Sequence, residues 1–142
     1  MKSLSYEEYV DMLQNSPETE IKEGCVPSCP VTAVLDILQG KWKNHVLFRM
    51  CAHDTIRFNK LKKKIPQITN AALTNTLREL EVCGLVKREQ FDEIPPRVEY
   101  SLTERGKDMT PVFYRMYQWS VKHWDTEEFK KFKNYSKSTD KK

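Results

Sequence analysis

Ala71, Thr74, Asn75 and Arg78 recur at helical spacing within "QITNAALTNTLRELEVCGLVKR", Gln67 to Arg88. Side chains three and four apart share one face of a helix. These types suit the edges of DNA bases. Arginine bonds guanine in bidentate fashion, asparagine does the same for adenine, and an alanine or threonine methyl meets the thymine methyl. Asn70 joins them at the start of the segment, and small residues there let the backbone approach a groove closely. The bland alternative is a solvated face, since short polar residues are mostly exposed. The neighbouring elements decide between the two.

Two other groups could do chemistry. Lys60, Lys62, Lys63 and Lys64 crowd the segment just before, "KLKKKI", and could neutralise phosphates. Cys29 stands immediately before Pro30, at an expected helix start, where the helix dipole favours the thiolate, the reactive form of cysteine. Cys25 lies four residues earlier and could resolve an oxidised Cys29 as a disulfide. The other reading of Cys29 is a small buried residue, for cysteine is among the most buried types. Zinc is a poor reading of the pair, because a structural site needs a second close Cys/His pair and Cys51, Cys83, His45, His53 and His123 form none.

The elements that must position these groups follow from periodicity. Ser5 and Glu8 fit a capping box ahead of a short helix carrying Tyr6, Tyr9, Val10 and Leu13. Residues 15–28 read as a loop. Pro30 opens a helix with the stripe Val31, Val34, Leu35 and Leu38, which Gly40 ends. Trp42, Val46, Leu47 and Met50 imply a second helix, and Phe58, Leu61 and Ile65 a third, stopped by Pro66. Thr69 is a good N-cap for the next helix. Leu73, Leu77 and Leu80 form its core face, within roughly 60° of arc, and Gly84 ends it. The period then changes to two. "LVKREQF" and "RVEYSLT" flank "DEIPP" and read as a β-hairpin with Val98, Tyr100 and Leu102 on one face. Thr103 caps a long helix to Trp124, kinked or restarted near Pro111. Cys51 and Cys83 fall on helices and read as core residues, with Cys83, just before the C-cap glycine, open to partial exposure.

Two short helices joined by a tight turn are a helix-turn-helix, and a hairpin directly after makes it winged. The fold class is therefore α+β: a mainly helical winged helix-turn-helix with a two-stranded wing and a long C-terminal helix. In this motif the first helix crosses the phosphate backbone, so the lysines, Lys60 and Lys62 above all, gain a role. The long helix carries Phe113, Tyr114, Met116, Tyr117, Trp119 and Trp124, more apolar surface than one helix face needs. Aromatics and methionine are enriched at interfaces, which predicts a dimer. The other reading is that they cover the winged-helix core.

The 142 residues suit one ordinary domain, with net charge +4 and 31% charged residues. That balance permits nucleic acid without demanding it. No apolar run is long enough to span a membrane, and the acidic start "MKSLSYEEYVDMLQ" is unlike a signal peptide. Four cysteines in such a chain fit a reducing, cytoplasmic setting. No nucleophile elbow, phosphate-cradling loop or H-E-x-x-H is present, so an enzyme is not expected, and no cofactor or metal is called for.

The chain resembles the HxlR-type winged-helix transcriptional regulators. The resemblance runs from about Cys29 to Trp124 and rests on "CPV" at Cys29–Val31, "GKW" at Gly40–Trp42, Arg57, Phe58 and Leu61, the stretch from Leu73 to Arg88, and "PPRVEYSLTERG" from Pro95 to Gly106. One departure is Gln39, where these proteins usually carry a second glycine. The resemblance implies a homodimer on a double-stranded DNA operator, with the recognition helix in the major groove. It implies Arg97 as a wing contact to phosphate or the minor groove, although Asp92 and Glu93 at the same tip would repel phosphate and Arg97 could instead pair with Glu99 or with those two acids. It also makes Cys29 look like the sensing residue of members that answer oxidants or electrophiles; a small-molecule effector is the alternative signal. The expected division is 1–28, an N-terminal extension with a short helix; 29–127, the winged domain; and 128–142, a basic polar tail, with Tyr6 and Tyr9 of the extension and Phe113, Met116, Tyr117 and Trp124 of the winged domain at the dimer interface. The runner-up function is a winged-helix module that binds protein.

Overall fold

The computed structural model describes residues 4–15, 30–124, 127, 130 and 131. Cys25 and Cys29 lie outside them, as do most of the loop expected over 15–28 and most of the tail expected over 128–142. The chain forms two compact units, Met1–Ile37 and Leu38–Lys142.

In the first unit, α1 spans Tyr6–Asn15 and α2 begins at Pro30 and runs to Leu38. The capping box is present. Ser5 N–H donates to Glu8 Oε2 at 2.7 Å, and Glu8 N–H donates to Ser5 Oγ at 3.2 Å. The Ser5 N–H, and after it the Ser5 side chain, lowers the pKa of the Glu8 carboxyl. Tyr6 is exposed and Tyr9 half-buried. Val31, Val34 and Leu35 of α2 are exposed as well.

The second unit holds the core. Its elements are α3 (Lys43–Met50), β1 (Ile56–Arg57), α4 (Phe58–Lys64), α5 (Asn70–Val82), β2 (Val86–Phe91), β3 (Arg97–Leu102), α6 (Glu104–Lys107) and α7 (Met109–His123). Gly40, at φ +119°, follows the end of α2, at the exit that the sequence assigned to it. Val46, Leu47 and Met50 of α3, Leu61 of α4, and Leu73, Leu77 and Leu80 of α5 are buried, as their spacing predicts. Ile65 and Ile68 of the turn between α4 and α5 close the same core. Thr76 is buried there too, its hydroxyl donating to the Ala72 carbonyl at 2.7 Å.

The sheet departs from the expected hairpin in one respect. It has three strands in the order β1-β3-β2, all antiparallel. Ile56 and Arg57 pair with Tyr100 and Glu99, adding a short edge strand just ahead of α4. A two-residue strand carries no readable alternation, and its hydrogen-bonding partner is distant in sequence. The long C-terminal helix is also divided. Thr103 caps only α6, its Oγ1 accepting from Gly106 N–H at 3.0 Å, and the chain restarts as α7 after Asp108. Pro111 supplies the reason for a break in this region, since it has no N–H for the Lys107 carbonyl.

One joint ties the recognition helix to the sheet. Gly84, at φ +72°, ends α5, with Gly84 N–H on the Glu81 carbonyl and Leu85 N–H on the Leu80 carbonyl. This is the double-bonded glycine exit that satisfies the last carbonyls of a helix. Thr103 then returns from the end of β3. Its N–H donates to Leu85 O at 3.1 Å and its hydroxyl to Gly84 O at 2.7 Å. Gly106 packs so closely here that a Cβ would lie 2.1 Å from the Leu85 carbonyl oxygen.

Candidate nucleic-acid interface

Helix α5 is positioned by its ends and by its buried stripe. Thr69, in extended conformation, accepts from Ala72 N–H at 3.1 Å and sets the start. Burial of Leu73, Thr76, Leu77 and Leu80 fixes the rotation. The opposite face therefore presents Ala71, Thr74, Asn75 and Arg78, all exposed, with Asn70 at the first turn. Asn75 and Arg78 make no hydrogen bond or ion pair among the described residues, so their donors and acceptors are available. Thr74 Oγ1 donates to the Asn70 carbonyl at 2.9 Å. Its hydroxyl proton is thus committed to the backbone, while its oxygen can still accept.

Two features of this face were not read from sequence. Val82 lies one turn beyond Arg78 on the outward side and is among the most exposed apolar residues; extending the same helical projection would have found it. The second is an ion pair. Lys43 Nζ of α3 lies 2.9 Å from Glu79 Oε2 of α5, and the Lys43 side chain is only 18% exposed. The pair draws in the acid beside Arg78 and anchors α5 to α3. Sequence spacing carries no signal for it.

On α4, Lys60 and Lys63 are exposed, whereas Lys62 and Lys64 are half-buried. Lys62 Nζ sits 3.5 Å from the Pro66 carbonyl oxygen, a long contact that leaves most of its donor capacity free.

The wing differs from α5. Arg97, at the start of β3, is 29% exposed. Its guanidinium carbon lies 4.2 Å from the centroid of the Phe91 ring, its cross-strand partner. Its Nη2 is 3.3 Å from Glu93 Oε1, and its Nε is 3.5 Å from Glu99 Oε1. The Nε contact is coulombic, since that nitrogen is buried and makes no hydrogen bond. Of the acids that could pair with Arg97, Glu93 and Glu99 lie against it, and no ion pair to Asp92 forms among the described residues. At the tip, residues 92–96 are exposed, Ile94 completely so.

The expected interface residues on α7 stand largely in the open. This helix buries no side chain. Met116, Tyr117 and Trp124 are exposed, with Tyr117 at 61%. Phe113 is half-buried and meets Phe48 of α3 edge-to-face at 6.4 Å. Core covering therefore accounts for the half-buried Met109 and Phe113 and not for the exposed Tyr114, Met116, Tyr117, Trp119 and Trp124. Cys51 and Cys83 are free thiols, both half-buried, so neither is a full core residue. No helix among the described residues is long and apolar enough to cross a membrane.

A capped helix with an open Asn/Arg face, a lysine-bearing helix before it and a hairpin after it define a winged helix-turn-helix of the DNA-binding kind. The HxlR-like helix-turn-helix family profile matches residues 37–128, and the chain belongs to this family of transcriptional regulators, which are not enzymes. It is 45% identical over 97 residues to YdeP, an uncharacterized HTH-type transcriptional regulator of Bacillus subtilis (strain 168), covering 68% of this chain and 75% of that one. Among solved structures, the redox regulator HypR in its oxidized form superposes with a TM-score of 0.61 at 42% identity, over 69% of this chain and all of that one. Quinone-bound YodB from B. subtilis superposes with a TM-score of 0.58 at 27% identity, over 66% of this chain and 99% of that one.

Proposed function

We propose that this regulator is a homodimeric repressor that blocks a promoter by binding a pseudo-palindromic operator. The observation that carries the reading is the open face of α5, where Asn75 and Arg78 are exposed and bonded to nothing else described. They read base edges in the major groove, helped by Asn70, Ala71 and Thr74. Lys60 and Lys62 position the protein on phosphates, and Arg97 borders the DNA at the wing. The exposed aromatic and methionine residues of α7 support a two-fold dimer through Phe113, Met116, Tyr117 and Trp124, with Tyr6 and Tyr9 contributed by α1. A two-fold arrangement sets recognition helices about 34 Å apart, matching half-sites one turn apart.

Cys29 is the proposed sensing thiol and Cys25 its resolving partner. The likeness to a redox regulator and to a quinone-bound regulator supports a signal of oxidant or electrophile type. A small-molecule effector is the competing signal.

The test is titration of the reduced protein onto duplexes from upstream of its own and neighbouring genes, against a scrambled duplex, at several salt concentrations. Binding to one segment about a thousandfold tighter than to the scramble is expected. Equal, steeply salt-dependent binding to every duplex would remove the operator-reading claim. Repeating the titration after mild oxidation, with Cys29→Ser alongside, tests the thiol: the wild type changes affinity and the variant does not.

A further inference from the structure

We propose that Arg57 is the cation that grips a DNA phosphate beside the wing, and that Arg97 serves to neutralise Glu93 and Glu99. The inference rests on the DNA-binding reading above.

Arg57 and Glu99 are directly opposite each other on β1 and β3. Residues so placed have Cβ atoms about 5 Å apart and usually pair if oppositely charged. Here the Glu99 carboxylate is drawn to Arg97 Nε at 3.5 Å instead. Arg57 is left exposed, and its side chain makes no ion pair or hydrogen bond among the described residues. An arginine on an edge strand with its natural partner taken by another arginine has a charge with no intramolecular use.

Its surroundings give that charge a use. A groove of about 390 Å³ runs between the β1–α4 junction and the wing tip. Its lining brings Arg57 and Asn59 together with Ile94, Pro95 and Pro96, and Arg97 lines it as well. Asn59 is exposed as well and can donate an N–H. A DNA strand has the same mixed character: an anionic phosphate edge that takes guanidinium and amide donors, and apolar sugar faces that suit isoleucine and proline. Glu93, the acid on this groove, is the one that Arg97 holds at 3.3 Å. The groove opens beside α4, whose Lys60 continues the cationic edge one turn on.

The experiment is fluorescence titration of the full reduced chain onto an upstream duplex and a scrambled duplex of the same length, across a range of salt. Wild type, Arg57→Ala and Arg57→Lys are compared, with thermal melts of each. Arg57→Ala is expected to flatten the log–log salt slope by about 0.9 for each protomer engaged, equally on both duplexes. Arg57→Lys, which keeps the charge, is expected to retain the slope, and all three melts are expected to coincide. An unchanged slope in Arg57→Ala overturns the proposal. So does a flattened slope that lysine fails to restore or that accompanies a lower melting temperature, since either marks a strand-forming role. A wild-type protein that binds neither duplex removes the DNA-binding reading itself and the Arg57 proposal with it; that outcome is told apart because it appears before any variant is made.

Discussion

Helix α5 and the wing both follow directly on elements of the helix-turn-helix, yet they use their polar groups in opposite ways. On α5, Asn75 and Arg78 are left open, and the nearby acid Glu79 is drawn away by Lys43 at 2.9 Å. On the wing, Arg97 is enclosed by Glu93, Glu99 and the Phe91 ring. The first arrangement leaves hydrogen-bonding capacity for a partner. The second spends most of it within the protein and leaves an exposed tip in which Ile94, Pro95 and Pro96 follow the acids Asp92 and Glu93. The difference separates reading from bracing: base discrimination needs unsatisfied donors and acceptors, whereas a brace needs its charges paired.

The contrast can be broken or sharpened by substitution. The largest effect is expected at the joint that holds both regions. Gly106→Ala places a methyl 2.1 Å from the Leu85 carbonyl oxygen, and the backbone must shift; a loss of about 3 kcal/mol is expected. Urea denaturation measures it, and a variant as stable as wild type would show that the joint yields freely. Next, Arg78→Ala is expected to cost about 1–3 kcal/mol of operator binding and to relax selection at one base position per half-site. Binding to a panel of single-base operator variants checks this. An equal loss on all of them would make Arg78 a phosphate contact and erase the contrast with the lysines of α4. Thr69→Ala removes the cap bond to Ala72 N–H and is expected to cost about 1 kcal/mol of stability, read from the melt, with the operator preference retained. The smallest effect belongs to the wing. Arg97→Ala breaks ion pairs that are partly open to solvent, so a stability loss of under about 1 kcal/mol is expected. A loss of sequence discrimination as large as that of Arg78→Ala would refute the division between reader and brace.

Much of the reading region was legible because its determinants are local. The Thr69 cap, the leucine stripe and the Gly84 exit all act within one helix and its immediate flanks, so spacing alone located them. The wing was legible as a hairpin for the same reason, through its change of period and its prolines. What escaped were long-range pairings. β1 exists because β3 comes back to meet it, and two residues give no pattern of their own. Lys43 and Glu79 belong to different helices. The restart at α7 was expected near Pro111, and it falls slightly earlier, after Asp108, where the proline's missing donor is felt.

Spacing along the chain was enough to show which helix carries an open Asn/Arg face, where that helix starts and stops, and that a hairpin follows, because capping and periodicity are properties of neighbouring residues. Only the tertiary structure decided how the charges are shared out. Arg57, Arg97, Glu93 and Glu99 are all visible in the chain, but which arginine meets which carboxylate depends on strand register and on distances of a few ångströms between separate elements. It likewise decided that α7 keeps most of its aromatic face in the open, since only the packing of the other helices shows how much of the core was already covered.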